Sequence, residues 1–176
     1  ELNDVEEKQI VDLPPEFVSL CNKHLPLKSQ TALEYLRSRG IGKGEILKWK
    51  MGFCPKGKYA GRIIIPSFNN NGDCNYFIAR TYVGNYRRYL NPPCGRDIIF
   101  NELNVDWDEP IILVEGVFDA IVAGDNAIPI LGSTLREESK LFQAMAIHDT
   151  PVYIALDPDA EKKAHIAGFL IGSDPG

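Results

Sequence analysis

The pattern of apolar and polar residues changes about a third of the way along the chain. Before residue 60, start and stop signals predict helices over residues 14–24, 31–39 and 44–50. From Arg62 the pattern becomes strand-like, and strands are predicted over 62–66 and 76–80. The intervening Asn71-Gly72 is a strong β-hairpin turn signal. The first half of the chain is therefore predicted to hold helices followed by a hairpin.

After Pro110, short apolar runs alternate with helical segments. Strands are predicted over 111–115, 127–131 and 152–156, and helices over 117–123, 134–147 and 160–170. Strands that alternate with helices indicate right-handed βαβ units and a parallel sheet. We therefore predict an α/β fold, in which a parallel sheet with flanking helices follows a small α+β subdomain.

Three parts are predicted: a helical part over 1–60, a basic α+β subdomain over 61–108 and a parallel-sheet domain over 109–176. The chain begins with Glu1 rather than Met, and only a short tail follows the last predicted helix. We therefore expect a fragment whose last domain is incomplete.

Composition excludes several classes of protein. No apolar run approaches the ~20 residues that a membrane-spanning helix needs. The four cysteines, Cys21, Cys54, Cys74 and Cys94, form no C-x-x-C pair, so a zinc ribbon is not supported. Free thiols in a reducing compartment are favoured over a disulfide framework.

The net charge of −5 hides a strong asymmetry along the chain. Residues 40–88 carry 9 basic and 2 acidic side chains, whereas residues 89–176 carry 5 basic and 15 acidic ones. A basic part can hold a polyanion while an acidic part holds metal. The alternative for the lysines between Lys43 and Lys58 is an ordinary solvated surface.

Carboxylates follow two of the predicted buried strands. Glu115 and Asp119 come after strand 111–115, and Asp157 and Asp159 come after strand 152–156. The carboxyl ends of parallel strands are where open α/β sheets build their sites. Four carboxylates at one edge need a compensating cation, and oxygen ligands suit Mg²⁺ or Mn²⁺.

Each of these acidic residues also has a purely structural interpretation. Glu115 and Asp119 can cap the helix that follows them, and taken alone this is the more common role. Asp157 and Asp159 can be turn residues around Pro158. The occurrence of all four at one sheet edge favours the metal site.

The ordered set Glu115-Gly116-x-x-Asp119, Gly132-Ser133-Thr134 and Asp157-x-Asp159 resembles a Toprim domain. The preceding segments Gly61-Arg62-Ile63-Ile64-Ile65-Pro66, Ile78-Ala79-Arg80 and Arg88-Tyr89-Leu90-Asn91-Pro92-Pro93 are similar to the RNA polymerase core of bacterial-type DNA primases. The resemblance covers roughly residues 28–170, and we interpret the chain as a phage or mobile-element member of that family.

The resemblance implies a DNA-directed RNA polymerase that makes short RNA primers by metal-dependent nucleotidyl transfer. It implies the following catalytic and metal-binding residues: Glu115, Asp119, Asp157 and Asp159. It implies the following nucleic-acid-binding residues: Arg62, Arg80, Arg87, Arg88 and Asn91. Arg88 stands where the family usually has lysine, and this is not a neutral exchange because arginine offers a planar fork.

The expected cofactor is Mg²⁺ or Mn²⁺. The expected partners are a single-stranded DNA template, ribonucleoside triphosphates and a replicative helicase, in the cytoplasm of a bacterial host and without a membrane. Two alternatives stay open: a Toprim nuclease that cleaves DNA, and a non-catalytic nucleic-acid-binding module of a replication protein. Because the family has a further acidic motif and a helical subdomain beyond Asp159, we expect little primer synthesis by this chain alone.

Overall fold

A computed structural model describes residues 8–132 and 134–157 of the chain. Its contacts divide the chain into two compact units, with the boundary between Cys94 and Gly95. The first unit thus contains the region predicted to be helical together with the hairpin. The division into 1–60, 61–108 and 109–176 stays a prediction.

The first unit is built on a four-stranded antiparallel sheet with the strand order β1-β2-β3-β4. The strands are β1 (Val18–Ser19), β2 (Gly52–Cys54), β3 (Arg62–Phe68) and β4 (Cys74–Thr81). The predicted hairpin is confirmed: Gly72 donates its N–H to the carbonyl of Asn69 and has a φ of +83°, which glycine adopts without a steric penalty. Consecutive residues of β3, Ile63 and Ile64, are both fully buried, so this sheet is covered on both faces.

Two of the three helices predicted before residue 60 are confirmed, as α1 (Ser29–Ser38) and α2 (Lys43–Lys48). The prediction of a helix over 14–24 is wrong, because that segment forms a turn and then strand β1. Val18 pairs with Phe53, and the Phe17 ring lies where a Cβ on Gly52 would stand. Pairing with β2 therefore overrides the local helix-start signal.

The second unit contains the predicted parallel sheet, with the strand order β6-β5-β7. Its strands are β5 (Ile111–Val114), β6 (Ala127–Pro129) and β7 (Val152–Ala155), and its helices are α3 (Val117–Ala123) and α4 (Lys140–His148), with a 3₁₀ turn at Glu102–Asn104. Ile111 and Leu113 of β5 are fully buried and pack in one cluster with Leu141 and Met145 of α4. The α/β fold class predicted from the sequence is confirmed.

Helix α4 begins later than predicted. Thr134 and Glu137 have the spacing of a capping box, but they do not open the helix. Instead, the Ser139 hydroxyl accepts the N–H of Phe142 at 3.3 Å. The Asp97 carboxylate accepts the N–H of Lys140 at 2.9 Å, which satisfies a second free donor at the helix start. The helix predicted over 160–170 lies outside the described residues.

All four cysteines are free, as predicted. Cys54 is fully buried in the first unit, and burial raises the pKa of its thiol to about 12. Across 8–132 and 134–157, none of the helices is long and apolar enough to cross a membrane.

Candidate functional site

Two of the acidic candidates, Glu115 and Asp157, lie at one edge of the parallel sheet. Strands β5 and β7 are neighbours, and Val114 pairs with Ala155. Glu115 follows β5 directly, and Asp157 follows the end of β7 by two residues. Both residues therefore leave the sheet at its carboxyl edge, where the parallel register places them on adjacent strands. Glu115 is partly buried, whereas Asp157 is exposed to solvent.

Asp119 caps helix α3. Its Oδ2 accepts the N–H of Gly116 at 3.1 Å, so the capping role is present in the structure. This role leaves part of the carboxylate available, because a carboxylate has two oxygens and about four lone-pair directions. Capping and metal binding are therefore compatible at this position.

The four-carboxylate metal site stays a prediction. Among residues 8–132 and 134–157, no three histidine, cysteine, aspartate or glutamate side chains are grouped as metal ligands. Asp159, the fourth member of the expected set, lies outside these residues. Glu115, Asp119 and Asp157 are the members of that set within the described residues, and their carboxylates are hard oxygen donors of the kind that divalent metal ions bind.

The loop after β6 lines a cavity in the second unit. The cavity has a volume of about 950 Å³, and its walls include Gly132, Thr134, Arg96 and Arg136. Thr134, for which capping is an alternative interpretation, is therefore a wall residue instead of a cap of α4. Ser133, between these two wall residues, lies outside the described part of the chain.

In the first unit, the strand register separates two of the basic candidates. Arg62 of β3 pairs with Thr81, and Ile63 pairs with Arg80 of β4. Paired residues point to the same face of a sheet and successive residues to opposite faces. Arg62 and Arg80 therefore project from opposite faces, and they do not line one surface as neighbours.

Arg62 is buried, with 8% of its surface exposed. Its guanidinium donates to the carbonyl oxygens of Arg87 at 2.8 Å, Ala79 at 3.3 Å and Arg88 at 3.4 Å. Burial lowers its pKa, and the nearby positive charge of Arg87 lowers it further. The Arg62 guanidinium is thus bound to backbone carbonyl groups, and little of its surface is accessible to a nucleic acid.

Residues 88–91 are attached to the free edge of β4. Thr81 donates its N–H to the carbonyl of Arg88, and Leu90 donates to that of Ala79, each at 3.0 Å. Asn91 extends this attachment with its side chain, whose Oδ1 accepts the N–H of Ala79 at 3.2 Å. Asn91, another predicted nucleic-acid ligand, therefore also contributes to the local structure.

An exposed turn, residues 82–89, leads into this attached segment and shares Arg88 and Tyr89 with it; we call it the arginine turn. Arg87 and Arg88 are both exposed there. The Arg80 guanidinium lies over the Tyr89 ring at 4.8 Å, and that of Arg87 over the Tyr86 ring at 5.7 Å. Tyr89 is 45% exposed, and Tyr86 is 81% exposed.

Tyr86 is absent from the residues predicted to bind nucleic acid. A signal for it is nevertheless present in the sequence, because no acidic residue occurs between Asp73 and Asp97, and every basic residue in that interval is an arginine. Tyrosines interleaved with such arginines are typical of surfaces that bind single-stranded nucleic acid. The pattern is visible only when aromatic and basic residues are considered together.

Two curated proteins are similar to the chain, and both are named DNA primase. The protein from Thermotoga maritima is 24% identical over 178 residues, which cover 75% of this chain and 31% of that protein. The protein from Legionella pneumophila is 24% identical over 88% of this chain and 34% of its own length. The chain thus spans about a third of the length of these relatives. No family model matches it.

Two solved structures of primase domains are similar to this chain in fold. The zinc-binding and RNA polymerase domains of the Aquifex aeolicus primase match 78% of this chain with a TM-score of 0.64 and 23% identity, over 45% of that chain. The DnaG primase catalytic domain, solved bound to single-stranded DNA, matches 78% with a TM-score of 0.65 and 16% identity, over 58% of that chain. The chain is therefore similar in sequence to two proteins named DNA primase, and its fold resembles that of primase catalytic domains.

Proposed function

We propose that the chain is the catalytic core of a DNA primase, an enzyme that copies single-stranded DNA into short RNA primers by nucleotidyl transfer. The observation that carries this proposal is the match of 78% of the chain, a share that includes residues of each unit, to the fold of a primase catalytic domain. The position of Glu115 and Asp157 at the carboxyl edge of the sheet supports it, since such edges hold the sites of open α/β sheets.

The acidic residues supply the reaction site in this proposal. Glu115, Asp119, Asp157 and Asp159 hold Mg²⁺ or Mn²⁺ together with the triphosphate of the incoming ribonucleotide. A divalent ion held by these carboxylates would neutralise phosphate charge and activate the attacking hydroxyl group. Among the three of these acids that the structure describes, Glu115 is the best placed to orient ligands, because it directly follows the central strand β5 and is partly buried.

The first unit supplies template binding. Arg80, Arg87, Arg88 and Asn91 are the proposed contacts of single-stranded DNA, and the exposure of Arg87 and Arg88 fits this role. Phosphate contacts of this kind bind with little dependence on sequence. A replicative helicase is the proposed partner protein, on the basis of the family resemblance.

The decisive experiment measures templated incorporation of ribonucleotides. The chain is incubated with single-stranded DNA, ribonucleoside triphosphates and Mg²⁺ or Mn²⁺. If it is inactive, a version lengthened at its carboxyl end to match primase catalytic cores is used. We expect short RNA products whose yield falls roughly a hundred- to a thousandfold with Glu115→Gln, since the site acts mainly by positioning charge.

Glu109→Gln is the matched control, because Glu109 is an exposed carboxylate of the same unit. Its products should equal those of the wild type. Cleaved DNA in place of RNA would replace this proposal with a Toprim nuclease. DNA binding without either product, in the chain and in the lengthened version, would indicate a non-catalytic binding module.

A further inference from the structure

The arginine turn exposes aromatic surface next to positive charge. Tyr86 is 81% exposed, and the Arg87 guanidinium lies 5.7 Å from the centre of its ring. Single exposed apolar residues are ordinary on protein surfaces. Here, however, two exposed arginines follow Tyr86 in the chain, and the first of them lies over its ring. The next tyrosine, Tyr89, is 45% exposed, and the Arg80 guanidinium lies over its ring.

The charge of the segment indicates which ligand suits this surface. Between Asp73 and Asp97 the sequence holds four arginines, no lysine and no acidic residue. Guanidinium groups bind phosphates and also stack on flat π systems, whereas ammonium groups act as point charges. A ligand with regularly spaced phosphates and unpaired bases matches both properties, and a base stacked on a tyrosine is tolerant of sequence.

The turn is fixed from beneath. Arg62 donates to the carbonyl oxygens of Arg87 and Arg88, the two residues that follow Tyr86. The N–H of Thr81 donates to the same Arg88 carbonyl from β4. Two donors from neighbouring strands therefore converge on the backbone of the turn, so that its exposed side chains project from a fixed base.

We propose that the arginine turn is a stacking surface for bases of single-stranded nucleic acid, with Tyr86 as the stacking ring and Arg62 as a positioning residue that holds the turn without touching the ligand. This inference rests on the proposed function and deepens it, because it assigns part of template binding to a ring outside the basic set. It also gives Arg62 a different role from the phosphate contact that its sequence context predicts.

Tyr86 is tested with a fluorescent 16-nucleotide oligo(dT) and the 176-residue chain, by anisotropy at several salt concentrations. We expect Tyr86→Ala to weaken binding roughly five- to hundredfold with the salt slope unchanged, because stacking carries no counterion release. Tyr86→Phe keeps the ring and should bind like the wild type. A blunt duplex DNA should bind both Tyr86 variants equally, since its bases are already stacked.

The role of Arg62 is tested with the conservative variant Arg62→Lys. Arg62→Lys keeps the positive charge but loses the fork that reaches three carbonyl oxygens, so we expect faster amide exchange at Thr81 and Leu90 and weaker oligo(dT) binding. This exchange readout needs no nucleic acid. In the Tyr86→Ala background, Arg62→Lys should weaken oligo(dT) binding much less than it does in the wild-type chain, because both changes act on the same contact.

The outcomes separate this inference from the proposed function. Oligo(dT) binding that falls with Arg87→Ala but not with Tyr86→Ala would overturn the stacking surface and leave the basic template contact intact. Unchanged amide exchange in Arg62→Lys, or a cost that simply adds to that of Tyr86→Ala, would make Arg62 a direct phosphate contact. Absence of any oligo(dT) binding by the wild type would overturn both proposals.

Discussion

The arginine turn of the first unit and the carboxylate edge of the second divide their charged residues in the same way. In each, one residue supports the backbone: Arg62 holds three carbonyl groups, and Asp119 accepts the N–H that precedes helix α3. In each, other charges of the predicted set are exposed, as Arg88 and Asp157 are. A charged motif residue can thus serve the fold, the ligand or both, and burial is what separates these roles.

The two regions differ in how far that support is buried. Arg62 is 8% exposed, and burial lowers its pKa, whereas Asp119 is exposed to solvent. A buried charge needs several polar partners to offset its desolvation, while an exposed cap is solvated by water. The basic side chain therefore supports the structure, and the exposed acidic one has carboxylate surface open to solvent.

Among the three tests of this comparison, the largest expected effect is on the acidic side. Asp157→Asn combined with Asp159→Asn should weaken Mn²⁺ binding at least about tenfold, because even the loss of a supporting residue around a metal costs this much. Paramagnetic broadening during a Mn²⁺ titration measures the affinity. Glu137→Gln with Glu138→Gln removes the same charge from two exposed positions and should leave it unchanged. Equal affinities in both double variants would place the metal elsewhere.

Asp119 allows its two roles to be measured separately. Asp119→Ala should lower the free energy of unfolding by about 1 kcal/mol, because the N–H of Gly116 loses its acceptor. Asp119→Asn retains an oxygen that can accept this bond, so its stability in urea should stay near that of the wild type. If Asp119→Asn nevertheless binds Mn²⁺ more weakly, the residue both caps and ligates. Unfolding curves that coincide for all three proteins would show that the cap is energetically unimportant.

The smallest expected effect is on DNA binding by the arginine turn. Arg88→Ala should lower the salt slope of oligo(dT) binding by about one unit, with a loss of affinity of a few-fold, because one phosphate contact is removed. Lys56→Ala is the control, since Lys56 is an exposed basic residue of the same unit that lies outside the arginine turn. A slope that falls equally in both variants would mean that the unit attracts DNA by its general charge alone.

The sequence predicts most of the parallel sheet because its signals there are local. The apolar run before Glu115-Gly116 ends β5 within one residue of its predicted boundary, and α3 spans the predicted residues. Where the local signals fail, tertiary contacts explain it. The segment after Pro14-Pro15 pairs with β2, and Ser139 and Asp97 together start α4 after the Thr134 signal.

The candidate site is less predictable, for a related reason. Only the pairing of Arg62 with Thr81 reveals that Arg62 and Arg80 occupy opposite faces, and pairing partners are not visible in a single sequence. The burial of Arg62 likewise depends on a turn more than twenty residues away. The acidic candidates, in contrast, are set by strand ends, which the sequence marks directly.

The strand order β6-β5-β7 also has a consequence for the time course of folding. The hairpin of β3 and β4 joins residues no more than 19 positions apart, whereas Ile111 must find Val152, 41 positions later in the chain. Closing the longer loop costs more entropy, and parallel pairing across a crossover forms slowly. We therefore expect the arginine turn to be native first and the carboxylate edge last, even on the ribosome. Pulse-labelling hydrogen exchange during refolding should then protect Thr81 before Leu113.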